Sequence, residues 1–76
     1  MNKETKDLLK EAQSQINEAR ATIEQIRDEQ QEDFDDKSDK WKESDAATTA
    51  EEGIANLTDA ADILETAITH LDEALS

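Results

Sequence analysis

Between residues 47 and 75, an apolar residue recurs at alternating steps of three and four positions without a break. Only 34% of the chain is hydrophobic, so nine filled positions in succession are not expected by chance. This spacing forms one apolar stripe along an α-helix and is typical of coiled-coil packing. The nine residues are Ala47, Ala50, Ile54, Leu57, Ala61, Leu64, Ile68, Leu71 and Leu75.

A second apolar stripe precedes this one and has the same spacing until it fades at Gln30 and Asp33. The chain has no proline and a single glycine, so little interrupts a helix. We predict one all-α domain over residues 1–76, with helices at about 3–34 and 46–75 and a polar connector at about 35–45. The first stripe consists of Leu9, Ala12, Ile16, Ala19, Ile23 and Ile26.

The helix starts carry capping signals. Asn2 or Thr5 is expected to cap the first helix, and Ser44 or Asp45 is expected to open the second. Thr48 with Glu51 also fits a capping box, which would move the second start by one turn.

The two stripes match when the chain folds back about residue 40. Leu9 then faces Leu71, and Ile26 faces Ile54, as antiparallel coiled-coil packing requires. The sequence therefore predicts an antiparallel two-helix hairpin. The connector contains neither proline nor glycine, so a long open helix in a domain-swapped dimer remains an alternative.

A stripe of small residues on the second helix suggests a further packing surface. Ala46, Gly53, Ala60, Ala67 and Ala74 recur every seven residues, with Ile63 nearby and Leu8 across on the first helix. A short hairpin buries one seam only, and chains this small usually need more support. We predict self-association into a homodimeric four-helix bundle through Ala60, Ile63, Ala67 and Ala74. The alternative is that alanine is simply a good helix former.

Charge is strongly one-signed. The chain carries 21 acidic and 8 basic residues, a net charge of −13, and residues 46–76 contain no lysine or arginine. We therefore expect no direct binding to nucleic acids or to anionic membranes. The acidic residues of the second helix predict a surface for a basic protein partner, or alternatively a merely solvated face. The proposed contact residues are Glu51, Glu52, Asp59, Asp62, Glu65 and Asp72.

The residue types for catalysis and for metal binding are scarce. The chain has no cysteine, no tyrosine and one histidine, His70, so a nucleophile with an adjacent base is not available. A calcium loop starting at Asp33 would place Lys37 and Ser38 where a ligand and a glycine belong. We predict no enzymatic activity, no metal site and no cofactor.

The two aromatic residues, Phe34 and Trp41, lie at the predicted tip of the hairpin. One interpretation is that they close the end of the core. The other is that Trp41, flanked by Lys40 and Lys42, is an exposed anchor for a partner, because tryptophan is enriched at binding hot spots.

The joint FDDKSDKWKESDA, residues 34–46, resembles a loose group of small acidic proteins encoded by phages and prophages. These proteins also have a helix, a short joint ending in a serine, and an amphipathic helix rich in alanine and glutamate. The resemblance implies a helical hairpin of phage or mobile-element origin and implies no particular activity.

Two functions follow as hypotheses. The first is an interaction protein in the bacterial cytoplasm that inhibits or redirects a host nuclease or defence complex, with the acidic helix imitating nucleic acid. The second is a homodimeric scaffold or adaptor without an inhibitory role.

Overall fold

The computed structural model describes all residues, 1–76, and is entirely helical. It has three helices: α1 spans Lys3–Asp35, α2 spans Asp39–Lys42, and α3 spans Asp45–Leu75. The prediction of an all-α chain is therefore confirmed. The segment predicted as a polar connector, 35–45, also contains the short helix α2, which the sequence pattern did not predict. No helix combines the length and the apolar content needed to cross a membrane.

The helix starts follow the capping chemistry of the sequence. The Asn2 side chain accepts a hydrogen bond from the Thr5 amide at 2.8 Å and caps α1. Ser38 caps α2 and Ser44 caps α3, each accepting from the backbone amide three residues on. The alternative start at Thr48 is not used, because α3 already begins at Asp45. Side-chain oxygens thus satisfy amides that the first turn leaves unpaired.

The joint between the long helices is a network of local hydrogen bonds. The Lys42 ammonium donates to the Asp35 carbonyl at 3.2 Å, at the end of α1. The Ser44 amide donates to the Trp41 carbonyl at 2.9 Å, and α2 packs against α3. These bonds tie the C-terminal end of α2 to the end of α1 and to the start of α3, so the joint is held by hydrogen bonds without glycine or proline.

The molecule is a thin rod in which α1 packs along α3. Its extents are 59 × 15 × 13 Å, and its radius of gyration is 17.3 Å. A compact domain of this length would have a radius of gyration of about 11 Å. A rod two helices thick has little interior, and only Ala47 and Ala61 are fully buried.

The apolar stripe of α3 is the face that α1 covers. All nine residues of this stripe are buried or half-buried. Along the rod, Gln13 of α1 reaches the Ile68 carbonyl of α3 at 3.3 Å, and Ile26 borders the same groove as Ile54. The spacing of the apolar residues therefore predicted the contact face of α3 correctly.

The contact face of α1 differs from the prediction. Leu9, Ala12, Ile16 and Ile23 are half-buried as expected, but Ala19 is exposed and Ile26 is 41% exposed. Gln13, Arg20, Arg27 and Phe34, each one position past the predicted stripe or its continuation, are half-buried instead. α1 is therefore rotated so that Gln13, Arg20 and Arg27 line the seam with α3. The aliphatic parts of these side chains cover the seam, while their polar ends reach water.

Raising the salt concentration is expected to stabilise this rod. A net charge of −13 repels itself along a thin particle, and few of the carboxylates have a cation nearby. Between about 0.01 M and about 0.5 M salt the screening length falls from about 30 Å to a few ångströms. We expect the melting temperature, followed by circular dichroism, to rise by about 4 °C or more, which corresponds to about 1 kcal/mol. A constant or falling melting temperature in sodium chloride would contradict this.

Candidate functional site

The acidic residues of α3 all lie on one side of the helix. All eight lie at helical positions next to one edge of the buried apolar stripe, and every one is exposed. We call this set the acidic face. It contains the predicted contact residues Glu51, Glu52, Asp59, Asp62, Glu65 and Asp72, together with Asp45 and Glu73.

No lysine or arginine is paired with the acidic face. The Glu73 carboxylate lies 3.8 Å from the Nδ1 atom of His70, one turn away on the same helix. Arg20 and Arg27 of α1 form no ion pair with Glu51 or Glu65 across the seam. Both arginines bind carboxylates of their own helix: Arg20 pairs with Glu24 and Arg27 with Asp28, each at 2.9 Å. The negative charge of α3 is therefore not neutralised by α1.

A second surface carries no charged side chain on either long helix. We call it the uncharged face. In a chain that is 38% charged, its positions recur at steps of three and four along both helices, as a packing seam does. On α1 it consists of Thr5, Leu8, Ala12, Gln15, Ala19, Thr22 and Ile26, and on α3 of Thr49, Gly53, Asn56, Ala60, Ile63, Ala67, His70 and Ala74.

The structure places both parts of the uncharged face on the same side of the rod. Ile26 of α1 lines one groove with Thr49 and Gly53 of α3. The opposite groove is bordered instead by Phe34 and Glu51, next to the acidic face. The two surfaces therefore lie on different sides of the helix pair.

The residues predicted for self-association belong to the uncharged face. Ile63 is 68% exposed, Ala74 is exposed, and Ala60 and Ala67 are half-buried beside α1. The sequence pattern places Leu8 near this face but predicts Ala19 and Ile26 in the seam with α3. Only the rotation of α1 brings those two to this face.

The tip residues Phe34 and Trp41 contact each other. Their rings lie 5.6 Å apart in an edge-to-face arrangement, and both residues are half-buried. The Lys37 ammonium lies 5.4 Å from the Trp41 ring, and that of Lys42 lies 5.8 Å from the Phe34 ring. This arrangement supports the interpretation that the aromatics close the end of the rod.

The chemistry-bearing side chains do not converge. No group of three or more histidine, aspartate or glutamate side chains is placed to hold a metal ion. The only histidine, His70, is exposed. The carboxylates of the connector, Asp35, Asp36 and Asp39, are exposed as well. The structure thus separates a charged surface from an uncharged one, and these side chains remain dispersed on the outside of the rod.

Comparison with known proteins gives no relative from which a role could be taken. No protein-family model, no curated protein and no solved structure matches this chain. Any function must therefore be argued from the geometry of the two faces.

Proposed function

We propose that this protein is a non-enzymatic binding protein of phage type that occupies the nucleic-acid-binding surface of a basic host protein in the bacterial cytoplasm. In this proposal the chain is an antiparallel helical hairpin, and α3 is the binding helix. The observation that carries it is that all eight α3 carboxylates are exposed on one face without a lysine or arginine partner. The resemblance of the joint to phage proteins is the reason for placing the target in a bacterial host, and a nuclease or defence protein is a host protein with a basic nucleic-acid-binding surface.

The charge density of the rod supports imitation of nucleic acid. A net charge of −13 over 59 Å corresponds to one charge per about 4.5 Å. A single DNA strand carries one charge per about 3.4 Å and a duplex one per about 1.7 Å. The charge spacing of one chain is thus closer to that of a single strand than to that of a duplex. Binding to the basic partner should weaken as salt screens the charges.

Removal of the α3 charges tests this function. The variant D59N/D62N/E65Q/D72N keeps the side-chain shapes and changes the net charge from −13 to −9, since four acids are lost. We expect it to capture at least about tenfold less of a basic partner from nuclease-treated bacterial lysate than the native chain. The captured protein should be released at about 0.5 M salt. The native chain should also displace labelled DNA or RNA from it.

The matched control neutralises four exposed acids of α1, in the variant D7N/E11Q/E18Q/E32Q. Its net charge is also −9, so a difference between the two variants reports the position of the charges and not their number. If both variants capture the partner equally well, or if the captured protein still binds its nucleic acid, the imitation of nucleic acid by α3 is wrong.

A second candidate function is a homodimeric scaffold or adaptor. The uncharged face favours it, because this face leaves large apolar side chains exposed in the single chain. Recovery of nothing but the protein itself from the lysate would support the scaffold and count against the inhibitor.

A further inference from the structure

Exposed large apolar side chains concentrate on the uncharged face. Four such residues are exposed in the chain, and three of them, Leu8, Ile26 and Ile63, belong to this face. Their exposed fractions are 63%, 41% and 68%. The fourth, Met1, precedes α1. Concentration of apolar side chains on one charge-free side is typical of a contact surface rather than of scattered surface residues.

The isolated rod has only a very small core of its own. Two alanines are its only fully buried residues, and no large side chain is completely enclosed. Domains this small bury a low fraction of their surface and usually gain support from oligomerisation or cross-links. The chain contains no cysteine for a disulfide, so packing against another chain is the available route.

Charge identifies that other chain as a second copy. Two chains of net charge −13 repel each other at nearly every orientation. A contact between two uncharged faces is the arrangement that keeps both acidic faces in water. A basic partner would instead gain its attraction at the acidic face. A twofold axis brings the same patch of each copy into contact. The large Ile63 of one copy then meets the small Ala60 and Ala67 of the other, so the face is complementary to itself.

The size of the face fits a dimer. The charge-free stretch from Thr5 to Ile26 runs beside the one from Gly53 to Ala74, so it is about 30 Å long at 1.5 Å per residue. Two helices side by side are about 20 Å wide. The resulting area is on the order of 600 Å² per chain. A standard interface buries about 800 Å² per partner, so the face is of similar size.

We propose that two copies of this chain pack through their uncharged faces as a four-helix bundle, with α1 contributing Leu8, Ala19 and Ile26 beside Ala60, Ile63 and Ala67 of α3. Ile63 of each copy inserts between the small residues of the other. The two acidic faces then lie on the outside of the bundle, available to a partner.

The dimer deepens the proposed function and, in that respect, rests on it. Two chains over the same 59 Å carry twice the net charge, or one charge per about 2.3 Å. This approaches the about 1.7 Å per charge of a DNA duplex, whereas one chain does not. In mean charge spacing the dimer therefore resembles a duplex more than one chain does.

Sedimentation equilibrium tests the interface without any partner. This method measures mass independently of shape, which matters for a rod. At about 100 µM, well above a micromolar dissociation constant, we expect the native chain to sediment with twice the chain mass. Ile63→Glu should sediment with the mass of one chain. Thr66→Glu, which adds the same charge to α3 at an exposed position among the acids, should remain dimeric.

Ile63→Ser is the second variant, in case the glutamate also unfolds the helices. It adds no charge and should raise the dimer dissociation constant at least tenfold with unchanged helix content in circular dichroism. A native chain that stays single at about 100 µM overturns the proposal. The proposal is also overturned if both Ile63 variants dimerise with the same dissociation constant as Thr66→Glu. Because these outcomes involve no partner, they separate a failed dimer from a failed binding function.

Discussion

Ala61→Glu is expected to lower the free energy of unfolding by about 3 kcal/mol or more. Ala61 is 1% exposed at the middle of the seam between α1 and α3, so no space exists there for a longer side chain. An unpaired carboxylate at such a position costs several kcal/mol, because it loses water without gaining a partner. For a chain of this length we expect the melting temperature to fall by at least about 12 °C. Urea unfolding followed by circular dichroism measures the change.

Ala21→Glu is the matched control for this substitution. Ala21 is exposed on α1, so the same side chain and charge stay in water there. Its effect should remain within about 0.5 kcal/mol, as for most surface substitutions. Equal unfolding midpoints for the two variants would show that α1 does not cover α3 at Ala61.

Trp41→Ala is expected to lower the free energy of unfolding by about 2 kcal/mol. Complete removal of a buried tryptophan side chain costs about 3 to 5 kcal/mol, and Trp41 is half-buried against Phe34. The substitution also removes the ring near the Lys37 ammonium. Urea unfolding and the melting temperature should both report the loss.

Trp41→Phe keeps an aromatic ring beside Phe34 and is the control for the tip. Its cost should be below about 1.5 kcal/mol, since the replacement stays apolar and similar in shape. If Trp41→Ala unfolds at the native midpoint but loses partner capture, Trp41 is a binding anchor. Its contact with Phe34 would then contribute nothing to stability.

These two predictions bear on function through the shape of the rod. The acidic face is displayed on α3 only while α1 covers the adjacent apolar stripe, so loss of the seam also disperses the carboxylates. The joint at α2 fixes where α3 begins, through the Ser44 cap and the Lys42 contact with the end of α1. Binding measurements on any variant therefore need its helix content beside them.

The sequence alone determined that this chain is helical and which side of α3 is covered. Steps of three and four residues place most large apolar side chains of α3 on one stripe, whereas the neighbouring stripe consists mainly of small residues. The sequence also narrowed the helix starts to a few short polar residues, and the structure selected Asn2 and Ser44 among them. The separation of acids from small residues on α3 follows from the same spacing.

Only the tertiary structure decided how α1 is rotated, and hence what the uncharged face contains. The stripe of Leu9, Ile16 and Ile23 can be completed on one side by Ala19 and Ile26, or on the other by Arg20 and Arg27. Both choices have coiled-coil spacing, so local sequence cannot separate them. The choice depends on contacts with α3 and on Phe34 meeting Trp41. Helical spacing fixes the faces of one helix, but the neighbour that packs against it determines which face is buried.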